Sequence, residues 1–232
     1  MNKLVIFDLD GVLLDSRDLH YDALNEALRK VGEQYVITRE EHLSKYDGLN
    51  TTKKLKMLTE DKGLPVQYYD QIWQDKQKAT FELIPRAYFN HHALYIMAKL
   101  KKDGWKIAVA SNSIRETVKI SLSSGGVDQF VDYYVSNEDV FNPKPFPEMY
   151  WQCMTKLKAL PKDTIIVEDS HIGREGAMNS GAHLYPVKDA YELNESFLDY
   201  CKEFDSTKKK NVPWRNKKMN VRSEEHTSEL QS

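Results

Sequence analysis

Cysteine is scarce in this chain of 232 residues. Its two cysteines, Cys153 and Cys201, stand far apart and lack metal-ligand spacing, which excludes a disulfide framework and leaves no zinc pattern. Buried thiols are the expected reading. Ten glycines and eight prolines are too few for a collagen-like or low-complexity chain, and 41% hydrophobic against 29% charged residues is the balance of a compact fold. No apolar run approaches the eighteen or so residues of a membrane span, and Leu4–Phe7 meets Asp8 too early to be a signal-peptide core. A cytoplasmic protein with no membrane partner is expected. The length suits one α/β domain carrying an insertion, or two small domains.

A large excess of positive charge is also missing, since the formal net charge is −2. That value is the sum of unlike segments. Asp205–Val221 carries five Lys, one Arg and one Asp, and Arg222–Ser232 carries one Arg and three Glu, which leaves −5 on residues 1–204. An acidic body argues against a nucleic-acid groove, which needs clustered Lys and Arg. Residues 205–221 read as a basic linker or tail, with Pro213 and no apolar periodicity. The last eleven residues, RSEEHTSELQS, resemble the translation of a sequencing-adapter read-through and are set aside as non-native. The expectation is then a chain that continued past Val221, with room for a fused second domain.

Three apolar runs end abruptly in small or acidic residues: Leu4–Phe7 before Asp8, Ile107–Ala110 before Ser111, and Ile165–Val167 before Glu168. Continuous runs of this kind suit strands buried on both faces of a parallel sheet. Amphipathic stretches at His92–Lys102 and Ile114–Ser124 read as crossover helices, and Tyr133–Val135 and Leu184–Val187 add two strands. The expected fold is α/β, a doubly wound, Rossmann-like parallel sheet of about five strands. Residues 16–85 instead show only helical patterns, beginning with the stripe Leu19, Ala23, Leu24, Ala27, Leu28 and Val31, and continuing near Glu40–Lys45, Thr52–Lys62 and Tyr68–Leu83. They are expected to form an inserted α-helical cap on a core made of residues 1–15 and 86–204.

Four clusters carry chemistry. In FDLDGVLLDS, Asp8 and Asp10 are two apart on an extended segment and point to one side. Such a pair binds a hard cation, or divides into nucleophile and acid/base if the surroundings separate their proton affinities; a simple strand-end turn explains it equally well. Ser111-Asn112-Ser113 precedes a helix, and Ser113 with Glu116 matches a capping box, so either an anion site or plain capping is read there. Lys144 stands between Pro143 and Pro145, which restricts its backbone where an ammonium has to be aimed; a surface turn is the plainer alternative. Glu168-Asp169 follows a buried strand, and adjacent acids there repel unless a cation lies between them and the first pair.

Taken together and in this order, the clusters resemble the haloacid dehalogenase-like hydrolase superfamily over about residues 3–190. The helical insertion resembles its subclass with an α-helical C1-type cap, the phosphoglycolate phosphatase and β-phosphoglucomutase-like group. The resemblance implies magnesium-dependent phosphoryl transfer on a small phosphorylated metabolite. Asp8 is then the nucleophile and Asp10 the acid/base. Ser111, the Asn112 amide and Lys144 hold the phosphoryl oxygens, and Mg2+ is bound by Asp8, the Asp10 carbonyl and Asp169, with Glu168 assisting. In the cap, the resemblance makes His20, Gly48, Thr51 and Thr52 substrate-specificity residues. Thr51 stands where the mutase pattern usually has an arginine, so a phosphatase is the first reading and a sugar phosphomutase the alternative. A non-catalytic phospho-acceptor module is less well matched, because it has no use for an acid at Asp10. After the fourth cluster, Arg174 and Gly176 depart from the small or apolar family pattern, and an irregular start to the following helix is expected.

Overall fold

The computed structural model describes residues 2–204. The basic stretch and the terminal residues 222–232 lie outside the described residues. Five short strands, β1 (Leu4–Phe7), β2 (Lys106–Ala110), β3 (Tyr133–Val135), β4 (Thr164–Glu168) and β5 (His183–Pro186), form one sheet in the order β3-β2-β1-β4-β5. Every pairing is parallel. Leu184–Val187 was expected as the last strand, and the ladder instead runs one residue earlier.

Side chains alternate between two cores, as the two-residue period of a strand requires. Val5, Phe7, Ile107, Val109, Ile165 and Val167 face one layer. That layer is built by α5 (His91–Lys102), α6 (Arg115–Ser124) and α9 (Ser196–Lys202). Leu4, Ile6, Ala108, Ala110 and Ile166 face the other, which is covered by α7 (Glu148–Leu157) and α8 (His171–Asn179). Burial on both sides explains why these strands read as unbroken apolar runs.

Between β1 and β2 the chain leaves the sheet through α1 (Arg17–Arg29), the single turn α2 (Arg39–Glu41), a wide-turn stretch His42–Tyr46, α3 (Thr51–Lys62) and α4 (Tyr69–Leu83). The helix expected near Glu40–Lys45 is thus split, because the capping box of Thr38 and Glu41 supports one turn only before the winding widens. Leu24, Ala27 and Leu28 of α1 pack with Leu55 and Leu58 of α3 and Ile72 of α4 in a third, separate core. The two connections to the sheet run side by side: the Asp15 amide donates to the Tyr88 carbonyl at 2.9 Å and the Asn90 amide to the Leu13 carbonyl at 2.8 Å.

Two local expectations are corrected. Ser113 does not cap α6. The helix starts at Arg115, whose amide is satisfied by Glu138 Oε2 at 2.6 Å, and the Ser113 hydroxyl turns to Asp10. Nor is α8 irregular, since Ser170 caps it by accepting from the Gly173 amide. Gly176 is there for space. A Cβ on it would lie 3.1 Å from the Pro145 carbonyl oxygen and 3.2 Å from the Tyr150 ring, so the glycine lets α8 approach the segment that carries Lys144.

Candidate active site

Sheet order reverses at β1, and the four clusters collect at the carboxyl ends of the strands on either side of that point. Register does part of the placing. Phe7 is paired with Val167, and the Asp8 amide donates to the Val167 carbonyl at 3.0 Å, so Asp8 leaves the sheet beside Glu168. Gly11, at φ +83, then turns the chain away. A Cβ there would sit 2.1 Å from Asp169 Oδ2, which only glycine avoids.

Lys144 is the hub of the buried half of the site. Its Nζ donates to Asp8 Oδ1 at 2.6 Å and to Glu168 Oε1 at 2.5 Å, and it lies 5.4 Å from the centre of the Tyr150 ring. The Tyr150 hydroxyl donates to the same Glu168 oxygen at 3.0 Å. Burial works against the ammonium, yet Asp8 and Glu168 raise its proton affinity well above the ordinary lysine value. For Asp8 the balance tips the other way. Burial pushes its carboxyl well above the usual carboxylate range, Lys144 pulls it down, and the charges of Glu168, Asp169 and Asp10 push it up again.

Asp10 has a different set of partners. Its carboxylate accepts from Ser16 at 2.6 Å, Ser111 at 3.0 Å and Ser113 at 2.8 Å, and pairs with His20 Nε2 at 2.9 Å. Burial alone would raise this carboxyl, but His20 and the serine donors outweigh it and hold it far below its ordinary value. The imidazole of His20 is itself shifted down, first by burial and then by the charge of Lys76. Its contact with Asp10 works the other way, and Asp10 stays ionised against His20 Nε2.

The remaining sequence-derived residues divide between floor and wall. Ser111 is fully buried and bonded to Asp10, beneath the cavity. The Asn112 side chain bridges the helical insertion and the Lys144 loop, with Nδ2 donating to the Gly48 carbonyl at 3.0 Å and Oδ1 accepting the Lys144 amide at 3.1 Å. Gly48, at φ +73, lies so close to α8 that a Cβ would meet Ile172 Cδ1 at 3.0 Å. Thr51 and Thr52 open α3 at the wall of a cavity of about 320 Å³ that also exposes Asp8, Asp10, His20, Lys144 and Asp169.

Sequence reasoning missed several groups. Ser16, Ser113 and Tyr150 hold the carboxylates, and Lys54 of α3 and Lys76 of α4 line the cavity. Lys54 follows Thr51 by three residues on a helix, a spacing that shares a face and would have found it. Lys76, in a polar stretch of α4, carries no such signal.

Carboxylate oxygens of Asp8, Glu168 and Asp169 lie within 4.8 Å of one another. Three acids against the single ammonium of Lys144 leave a buried surplus of negative charge, and hard oxygen donors are the ligands magnesium takes. These residues fit a divalent cation.

A family profile described as "Haloacid dehalogenase-like hydrolase" matches residues 5–187. Among curated proteins, the chain is 27% identical over 192 residues to a pyrophosphatase PpaX of Bacillus mycoides, covering 79% of this chain and 82% of that one. It is 26% identical over 206 residues to a phosphorylated carbohydrates phosphatase of Thermotoga maritima, covering 83% and 88%. Among solved structures, the β-phosphoglucomutase of Clostridium difficile superposes with a TM-score of 0.74 at 20% identity, over 86% of this chain and 96% of that one, a likeness of fold. No helix among the described residues is long and apolar enough to cross a membrane.

Proposed function

Because the chain belongs to the haloacid dehalogenase-like hydrolases and is a phosphatase of that family, we propose that it cleaves small phosphate monoesters through an aspartyl-phosphate on Asp8. One observation carries this reading: Asp8 after β1, Lys144 in the loop between β3 and α7, and Glu168 and Asp169 at the end of β4 meet in one cluster on the floor of the cavity while Asp10 is held apart by its own donors.

An Asp8 carboxylate oxygen attacks phosphorus, forming an O–P bond as the bond to the leaving oxygen breaks. Lys144 neutralises charge on the phosphoryl oxygens, together with the backbone N–H of Asn112. Asp8, the Asp10 carbonyl and Asp169, with Glu168 assisting, would hold magnesium, which would supply the positive charge that keeps Asp8 ionised and offsets the negative charge of the phosphoryl group. Asp10, held ionised, is ready to take the proton of the water that attacks the phosphoenzyme, releasing phosphate and restoring Asp8. To protonate the leaving oxygen in the first half, it must first carry a proton, kept from the water of the preceding turnover or taken from solvent, and turn from the serine and histidine donors that keep it charged. Residues 16–85, as a cap, close over these events and exclude competing water, and the side chains of His20, Thr51 and Thr52 with the backbone at Gly48 face the substrate.

The test is hydrolysis of p-nitrophenyl phosphate by the full chain. Activity should require added magnesium, vanish with chelator, and fall to background in Asp8→Asn. Retained turnover in Asp8→Asn refutes the assignment. Tracing labelled phosphate separates the mutase alternative, since a hydrolase delivers the label as inorganic phosphate and a mutase returns it to a sugar.

A further inference from the structure

Lys144 is one of three buried lysines among the described residues, with Lys54 and Lys76, and the one bonded to two carboxylates. An ammonium has three N–H groups to give. Two are spent on Asp8 and Glu168, so one remains for a phosphoryl oxygen, and its direction depends on how firmly both carboxylates stand. Glu168 is held at both oxygens. Its Oε2 accepts from the Ser170 amide at 3.1 Å and the Ser170 hydroxyl at 3.2 Å, while its Oε1 accepts from Lys144 and from the Tyr150 hydroxyl at 3.0 Å. Tyr150 therefore fixes Oε1 independently of the lysine.

Tyr150 is fully buried in the first turn of α7 and stands behind Lys144, away from the lining of the cavity. It does not meet the substrate. A phenylalanine would fill the same place with no hydroxyl to satisfy, so the hydroxyl itself needs a reason. Two acceptors lie within its reach, Glu168 Oε1 at 3.0 Å and the Gly173 carbonyl at 3.2 Å, and it has one proton to give. The carbonyl lies inside α8, where the amide four residues on already serves it, whereas the carboxylate is charged and makes the stronger bond. The ring adds to the same end, with the Lys144 ammonium 5.4 Å from its centre. We propose that Tyr150 is a positioning residue for phosphoryl transfer: its hydroxyl fixes Glu168 Oε1 and, through it, aims the remaining N–H of Lys144 at the phosphoryl group. This rests on the phosphatase reading and adds a residue to its machinery.

The experiment uses the full chain with magnesium and p-nitrophenyl phosphate. Tyr150→Phe keeps the ring and removes the hydroxyl, so kcat should fall about tenfold while KM stays within about twofold of wild type. In a Glu168→Gln background, where the charged acceptor is gone, the same change should cost no more than about twofold. A loss that came from packing alone would be equal in both backgrounds. A kcat of folded Tyr150→Phe within about twofold of wild type, a loss carried by KM, or an equal loss in the Glu168→Gln background overturns the proposal. If a variant does not fold, proton spectra of the wild-type chain with isotope-labelled lysine decide. Two donors on one oxygen bring their protons together, so the Tyr150 hydroxyl proton should give a strong cross-peak to the Lys144 ammonium. A weak or missing one puts that proton on the Gly173 carbonyl and overturns the proposal. Wild-type turnover with an unaltered Tyr150→Phe refutes this inference alone, whereas no turnover of any monoester refutes the reading beneath it.

Discussion

Gly173→Ala tests the position of Glu168 most sharply, because helix propensity and site geometry pull in opposite directions. Gly173 lies in the first turn of α8, and an alanine there gains about 1 kcal/mol in helix propensity. Its Cβ, however, would fall 1.9 Å from Glu168 Oε1 and 2.1 Å from Cδ, so the carboxylate has to retreat by about 1.5 Å or more to reach ordinary contact. It is not free to do so. Lys144 at 2.5 Å, Tyr150 at 3.0 Å and the Ser170 amide at 3.1 Å all donate to it. Losing two such bonds to a charged group costs about 3–6 kcal/mol, which exceeds the propensity gain and predicts a net loss of about 2–5 kcal/mol. Displacing the group that orients Lys144 by that distance is expected to lower kcat about a hundredfold. Urea unfolding and p-nitrophenyl phosphate kinetics measure the two effects. Gly176→Ala is the comparison, since its nearest contacts are 3.1–3.3 Å and ask for shifts of tenths of an ångström; it should stay within about 1 kcal/mol of wild type. A Gly173→Ala protein as stable and as active as wild type would show that Glu168 is not fixed as described.

Two further perturbations address the buried charges. Lys144→Met leaves Asp8 and Glu168 buried without their cation, at a cost of about 3–5 kcal/mol. It also removes the influence that lowers Asp8, so the folded Asp8 carboxyl rises further above its unfolded value. The group then binds protons more tightly folded than unfolded, stability falls as pH rises from about 4, and urea midpoints should show a larger deficit at pH 8 than at pH 5. Lys76 carries the opposite sign. Its folded pKa of about 7 lies below the ordinary 10.5, so its destabilisation is complete below pH 7 and is relieved between 7 and 10.5. Lys54, Asp10 and His20 share its surroundings. Without ligand, Lys76→Met should be more stable than wild type by a few kcal/mol, about 3–5 at most, at pH 6, with the gap closing toward pH 10. A variant less stable than wild type at pH 6 refutes the buried, charged Lys76.

What the chain determines by itself is periodic or adjacent. Runs such as Leu4–Phe7 and Ile165–Val167 are readable as doubly buried strands because a strand needs only its own residues to display an apolar pattern, and a polar residue after each run marks the strand end that bears the site. The stripe of α1 was readable for the same reason. Ser113 was not: serine and glutamate three apart satisfy a capping box locally, and only Asp10, 103 residues away, offers that hydroxyl a stronger, charged acceptor. Gly176 looked like a flaw in a helix because nothing nearby in sequence shows that the Pro145 carbonyl will lie against it. Lys54 and Lys76 sit among polar neighbours that suit solvent. Tertiary structure alone decided that they are buried, since the helices α3 and α4 turn them toward the sheet edge, and burial, a property of the surrounding atoms and not of the residue, sets how much a charge costs.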